Sequence, residues 1–425
     1  MEFKERNLYS PMFPNQWTPI KLYELAEWIN GKAFKKDDYN ITGLPVIKIA
    51  ELNTGLSSNT KYSINNDVKF YIKKGDILFA WSGNPDTSID THKFKEKEGY
   101  LNQHIFKVLP NDNKIESDFL YYILKYLKPF FKEIARNKQT TGLGHVTISD
   151  LKKIQVRIPS KNIQKKISDI FVILDKKIEI NNEIISNLES QAQAIFKSWF
   201  VDFEPFQDGD FVESELGMIP EGWEVKELGE VADCKLGGTP SRKKREFWDG
   251  DIPWINSGEV NKDRIIEPSE YITEEGLKKS ATKLLKRKTT LVAITGATLG
   301  QVSLLEIDCC TNQSIIGIEP NEKIPYEYIY LFIKNNINKI ISNQTGAAQQ
   351  HINLNDIRTS KIIIPQNRIM KEYVKIVSLL MLKVEKNYFE NTKLAELRDA
   401  LLPKLMAGEI DVSNIKIDGE EVKNE

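Results

Sequence analysis

The sequence predicts an α+β chain in which one mixed α/β, mainly β module occurs twice, each copy followed by a long amphipathic helix. Three observations carry this. Anchor strings recur 206 residues apart, short β segments are punctuated by Gly, Asn and Pro in both halves, and apolar residues fall at heptad spacing after each half. With 425 residues the chain exceeds one ordinary core, so two or three domains are expected.

The repeat is read from its anchors. Trp17 opens WTPIKLYELAEWINGKAFK, and Trp223, 206 positions on, opens WEVKELGEVADCKLGGTPSRK. TGLG-His145-VTISDLKKIQVRIP, ending at Pro159, faces TGAAQQ-His351-INLNDIRTSKIIIP, ending at Pro365, in the same frame. Between the anchors the match loosens, so the copies share a scaffold and differ in their loops, where specificity is carried. PVIKIAEL, GDILFAW and HIFKVLP read as strands in the first copy, TTLVAIT and QSIIGIEP in the second. DFLYYILKYLKPFFKEIA and YEYIYLFIKNNINKII each read as a helical stretch.

Two long helices follow. In the first, Ile167, Leu174, Asn181, Leu188 and Ile195 interleave with Phe171, Ile178, Ile185, Ala192 and Trp199 at spacings of three and four, the a/d pattern of a coiled coil. In the second, Tyr373, Leu380, Asn387, Leu394 and Leu401 keep the frame, while the series of Val377 and Val384 decays at Asn391 and Arg398. An Asn in an apolar seam costs stability and fixes register, so Asn181 and Asn387 point to helices that pair with each other; the alternative is that each packs only on its own module. About 40 residues at about 1.5 Å rise would span roughly 60 Å, or roughly 18 base steps of DNA. The expected organisation is a module over 1–160, a helix over 161–203, a linker over 204–222, a module over 223–365, a helix over 366–408 and a tail over 409–425.

Composition narrows the function. Lys and Arg total 59 against 60 Asp and Glu, a net charge of -1, so a nucleic-acid contact must come from local clusters and not from a global field. Residues 1–160 carry about 24 basic and 18 acidic side chains, and 209–365 about 19 and 23. No apolar run approaches the ~20 residues of a membrane span, and the opening MEFKERNLYSPMFPNQW lacks a signal peptide's apolar stretch. Three cysteines, Cys234, Cys309 and Cys310, form no CxxC pattern, which suits a reducing cytoplasm and small buried side chains.

Four strings then identify a resemblance covering nearly the whole chain: AQAIFKSWFVDFEPF, GMIPEGWEVKELGEVADCKLGGTPS, TGAAQQHINLNDIR and LAELRDALLPKLMAGEI. The sequence resembles the specificity subunit of type I restriction-modification systems. The resemblance implies two pseudo-symmetric target recognition domains, each reading half of a split double-stranded DNA site. It implies that the helices form an antiparallel coiled coil, which sets the spacing and docks two modification subunits. Those partners would carry adenine-N6 methylation with S-adenosylmethionine, and restriction/translocase subunits would add ATP- and Mg-dependent translocation and cleavage. No cofactor is expected in this chain. The first module opens INGKAFKK and lacks the GGTPS string, so its target transfers less readily.

No catalytic constellation competes with that reading. The chain lacks [ND]-P-P-[YF], a Walker A loop and a G-x-S-x-G elbow. Pro85-Asp86 with Asp90 has no lysine two residues beyond and reads as a loop, and none of His92, His104, His145 and His351 has metal-ligand spacing. Two rivals remain open: a coiled-coil scaffold that gathers partners without reading sequence, and a methyltransferase or nuclease in its own right.

Candidate DNA contacts are basic loops and amide or aromatic side chains. Ser241, Arg242, Lys243, Lys244 and Arg245 follow GGTP; Lys278, Lys279, Lys283, Lys286, Arg287 and Lys288 form a second basic stretch; Lys32, Lys35 and Lys36 occupy the first module's corresponding loop. Each is either a phosphate contact or a solvated charge run. Gln103 and Gln313 have the bidentate amide that reads adenine, but their recurrence also fits a shared structural role. His145 and His351 recur as scaffold or phosphate contacts, and Trp81 either stacks on a base or packs inside.

Overall fold

The computed structural model describes residues 12–64, 67–139, 142–342 and 351–415, and within them the sequence repeat is a repeat of topology. The opening through residue 11, TGAAQQ (345–350) and the tail from 416 lie outside the described residues. Residues up to 177 together with those from 394 make one compact unit, and 178–393 make the other.

The first module begins with β1 (Thr18–Lys21), β2 (Ala26–Asn30), β3 (Leu44–Ile47), α1 (Ile49–Thr54), β4 (Tyr62–Ser63), β5 (Tyr71–Lys73), β6 (Ile77–Ala80) and β7 (Ser82–Gly83). It continues through β8 (Asp90–Lys93), β9 (Glu98–Leu101), β10 (Ile105–Pro110), α2 (Ser117–Tyr126), α3 (Lys128–Asn137), β11 (Gly144–His145), α4 (Ile148–Leu151) and β12 (Gln155–Ile158). Helix α5 (Lys161–Phe200) follows. Residues expected as linker form a hairpin of β13 (Phe211–Ser214) and β14 (Gly217–Pro220).

The second module runs through β15 (Glu224–Glu227), α6 (Leu228–Val231), β16 (Asp233–Leu236), β17 (Trp248–Ile255), β18 (Arg264–Ile265), β19 (Glu270–Ile272), α7 (Glu274–Lys278) and β20 (Leu284–Leu285). Then come β21 (Thr290–Ala293), β22 (Val302–Leu305), β23 (Cys309–Thr311), β24 (Ile315–Glu319), α8 (Tyr326–Ser342), α9 (Leu354–Arg358), β25 (Lys361–Ile364) and α10 (Asn367–Met406).

Sheet order repeats. The orders β2-β10-β6-β8 and β4-β3-β9-β5 of the first module return as β16-β24-β21-β22-β18 and β19-β17-β23-β20 in the second. Each second sheet carries one parallel pair, β3 with β9 and β17 with β23. Each module is closed by its first and last strands: Thr18 faces Ile158, and Glu224 faces Ile364. Central strands β6 and β21 are buried at every position, which suits the apolar runs Ile77–Ala80 and Leu291–Ala293. Gly31 and Gly237 hold equivalent places; a Cβ there would lie 2.1 Å from the Asn102 carbonyl oxygen and 2.2 Å from that of Asn312, so only glycine allows the approach.

Two segment expectations are corrected. PVIKIAEL is a strand only to Ile47, because the Lys48 N–H donates to the Glu51 carboxylate at 3.1 Å and starts α1. DFLYYILKYLKPFFKEIA is two helices, since Pro129 brings no N–H and stands in the first turn of α3.

The long helices pair in both units. In the first, Ile167 and Phe171 of α5 share a core with Leu405 and Met406 of α10, and Arg398 reaches Asp175 at 2.9 Å. In the second, the Asn181 amide donates to Glu390 at 2.8 Å and to Asn391 at 2.9 Å, while Trp199 packs on Tyr373 at 6.0 Å, so the helices run antiparallel. Ile185, Ala192, Tyr373, Val377 and Val384 are buried; Leu174, Ile178, Leu188, Ile195, Leu380, Asn387, Leu394 and Leu401 are half-buried along the same stripe. The decay at Asn391 and Arg398 is therefore a change of chemistry: these positions supply polar partners to Asn181 and Asp175 of α5. Asn387 bonds back to the Lys383 carbonyl at 2.7 Å.

Candidate nucleic-acid interface

Trp81, Gln103, His145 and Gln313 sit at strand ends, whereas the basic candidates lie in loops and short helices between strands. In the first module Trp81 leaves β6 with its indole N–H on the Asn30 side-chain oxygen at 3.0 Å. Its ring stacks on Phe106 at 5.4 Å, with His104 at 6.0 Å and His145 at 5.8 Å. The Gln103 amide nitrogen lies 3.2 Å from the His104 ring. Trp81 is thus half-buried by Phe106, and Gln103, His104 and His145 surround it. Partial burial, with the nearby His145, lowers the pKa of His104.

Lys32 meets the Asp38 carboxylate at 2.9 Å, and its ammonium lies 5.2 Å from the Phe34 ring. Phe34 stacks on Tyr39 at 6.1 Å. The Lys35 N–H and Lys32 hold the Asp38 carboxyl below its usual range. Lys35 and Lys36 are exposed beside this pair.

The second module builds a related arrangement from different residues. Arg242 donates through both terminal nitrogens to Glu270, the Nη2 bond measuring 2.8 Å. Its guanidinium lies 3.6 Å from the centroid of Trp248 and 5.2 Å from that of Trp254. Trp248 and Trp254 meet edge to face at 5.1 Å, and their indole N–H groups hold the Ser241 and Gly238 carbonyls at 3.3 and 3.2 Å. The loop is therefore pinned at its base while Ser241, Lys243, Lys244 and Arg245 remain exposed. Arg242, Arg245, Trp248, Glu270 and Tyr271 line a concavity of about 600 Å³. At its rim β17 is bulged, and Asp249 takes φ 60°, a left-handed conformation that Asp tolerates better than most residues.

The other basic stretch divides. Lys278 and Lys279 pair with Glu274 and Glu275 one turn earlier at 2.9 and 2.6 Å, and Lys283 is exposed. Lys286 pairs with Asp308 at 2.9 Å. Arg287 and Lys288 turn to carboxylates: Lys288 reaches Glu306 at 2.6 Å and Glu385 of α10 at 2.8 Å, and Arg287 also binds Glu385. Glu306 in turn pairs with Arg264, whose side chain is entirely buried and lies 3.8 Å from Glu189 of α5. This cluster braces the second module against both helices within its unit, and burial raises the pKa of Glu189.

Equivalent positions differ in chemistry. The Val146 N–H donates to the Trp81 carbonyl at 2.8 Å, and the Ile352 N–H to the Ile294 carbonyl at 3.2 Å, so Ile294 stands where Trp81 does. His145 and His351 precede those donors, and Ser314 replaces His104. Gln313 accepts from the Thr239 hydroxyl at 2.6 Å. Sequence reasoning missed Asn30, Asp38, Trp248 and Glu270. Glu270 is 28 positions from Arg242, and no local pattern signals such a pairing.

The acidic loop considered as a nuclease centre is ion-paired. Asp90 binds Lys125 at 2.9 Å and Lys128 at 2.5 Å, and Asp86 binds Arg136. Among the described residues no group of three or more His, Cys, Asp or Glu is placed to hold a metal ion, and no helix is long and apolar enough to cross a membrane.

Comparison with known proteins agrees with this architecture. A family model described as the type I restriction modification DNA specificity domain matches residues 14–190 and 220–398. The type I restriction enzyme HindI specificity subunit of Haemophilus influenzae is 30% identical, over 84% of this chain and 94% of its own. The MjaIX specificity subunit of Methanocaldococcus jannaschii is 30% identical over 97% of this chain and 98% of its own. In fold, the crystal structure of a type I restriction-modification S subunit from M. genitalium matches at TM-score 0.56 and 19% identity, covering 92% of this chain and 97% of that one.

Proposed function

Because the chain belongs to the family of type I restriction-modification DNA specificity proteins, we propose that its modules each read one half of a bipartite double-stranded DNA site for a modification complex. The observation that carries this reading is the duplicated module: the same strand order and the same closing pair, with a different set of side chains at the equivalent strand ends. A scaffold needs only its helices; two copies of one fold with different exposed chemistry suit two different targets.

In this reading the chain is non-catalytic and works in the cytoplasm. Two modification subunits dock on it and supply adenine-N6 methyl transfer from S-adenosylmethionine. Restriction/translocase subunits supply the ATP- and Mg-dependent steps. The exposed cations Lys35, Lys36, Lys243, Lys244 and Arg245 contact phosphates and give affinity without sequence information. Arg287 and Lys288, engaged by Glu306 and Glu385, serve as a brace.

A module exchange tests this. Replacing residues 1–160 with the first module of another family member is expected to change one half of the methylated sequence and leave the other. An unchanged methylation pattern would favour a scaffold, and turnover by the purified chain alone with DNA, S-adenosylmethionine and ATP would make it an enzyme.

A further inference from the structure

We propose that Arg242, buttressed by Glu270 and stacked on Trp248, reads the major-groove edge of a guanine in the second module's half-site. This deepens the proposed function and rests on it. A guanidinium carries five N–H donors. Two of them go to Glu270, one from each terminal nitrogen, which leaves the fork formed by Nε and its neighbouring terminal nitrogen. The side chain is 54% exposed and borders the 600 Å³ concavity, so the guanidinium is open to a ligand. One face of the guanidinium is covered by Trp248 at 3.6 Å, so the plane is set before any DNA arrives. A planar donor fork held in advance loses little freedom on binding and matches the O6 and N7 acceptors of guanine.

A loose phosphate contact requires none of this. Lys243, Lys244 and Arg245 carry charge on the same loop and are exposed. The first module offers a looser parallel. In the first module Lys32, directly after the equivalent glycine and so at the position of Gly238, pairs with Asp38 and lies over Phe34, a compact ammonium where the second module has its fork four residues further on. A cation, a carboxylate and a ring thus meet in both loops, at different backbone positions and with different head groups.

The test uses the assembled complex with its modification subunits and the site defined by methylation mapping. The second half-site is expected to contain a G·C pair at which 7-deazaguanine, which lacks the N7 acceptor, weakens binding about tenfold. Arg242→Ala is expected to lower binding to the cognate site about tenfold to a hundredfold and to relax choice at that pair alone. Arg242→Lys keeps the charge and is expected to keep the salt dependence but not the discrimination. Glu270→Gln, which leaves the loop its hydrogen-bonding partner, is expected to relax choice while binding persists. Unfolding midpoints matching the parent show that these variants fold. A second half-site without a G·C pair would overturn the proposal. So would 7-deazaguanine without effect at every guanine, or Arg242→Ala weakening cognate and unrelated DNA equally. These outcomes differ from failure of the two-module reading, in which exchanging the whole second module would shift neither half-site.

Discussion

The two modules hold their equivalent strand ends by different means, and the contrast separates scaffold from specificity. Where the first gathers Asn30, Trp81, His104 and His145, the second has Leu236, Ile294, Ser314 and His351. The backbone bonds that position these residues are the same, Val146 to Trp81 and Ile352 to Ile294. Main-chain geometry is thus held while polarity, ring area and charge change. The modules also differ below the surface. The second is locked to its helices by the buried Arg264–Glu306 pair with Lys288 and Glu385, whereas Asp90 with Lys125 and Lys128 in the first is only half-buried.

This contrast predicts unequal responses, the largest in the second unit. Arg264→Ala removes the fully buried partner of Glu306, which keeps Lys288, and is expected to cost about 2–3 kcal/mol, read as a shifted denaturant midpoint for that unit. The double change Arg264→Met with Glu306→Leu is expected to recover part of it. A loss under 1 kcal/mol would show that the pair is no brace.

Acid sharpens the comparison next, and acts on the first unit. Burial drives His92 down to about 4, and its Nε2 finds no partner among the described residues, so the folded form holds it neutral. The unfolded chain takes up that proton at about 6.5, so this contribution is complete above pH 6.5 and is lost as pH falls toward 4. At pH 5 the loss is about 2 kcal/mol, and His92→Gln is expected to flatten it. Equal acid sensitivity of variant and parent would remove His92 from the account.

Smaller effects follow. Asp90→Asn is expected to cost the first unit about 1 kcal/mol, because its lysine partners remain partly solvated; an effect as large as that of Arg264→Ala would erase the distinction between the two ion pairs. Neutralising Lys243, Lys244 and Arg245 together is expected to reduce the slope of log binding against log salt by about two to three, without altering the methylated sequence. A changed sequence would make them readers.

Much of this was legible in the chain itself. The 206-residue frame, the heptads and the quoted strings sufficed for two like modules, two long helices and the family, because repetition and periodicity are properties of residue order. The site was legible only in part. Arg242 and Trp81 stood out as residue types able to contact DNA, but their partners Glu270 and Asn30 lie far away in sequence and became visible only when strands from separate segments were brought together. Likewise Asn391 and Arg398 looked like a failing seam until α5 placed Asn181 and Asp175 opposite them. Sequence alone determined what repeats and which faces are apolar, since those follow from local spacing. Only the tertiary structure decided which cations are engaged by carboxylates and which remain available, because pairing depends on proximity through space, and a one-dimensional pattern does not encode it.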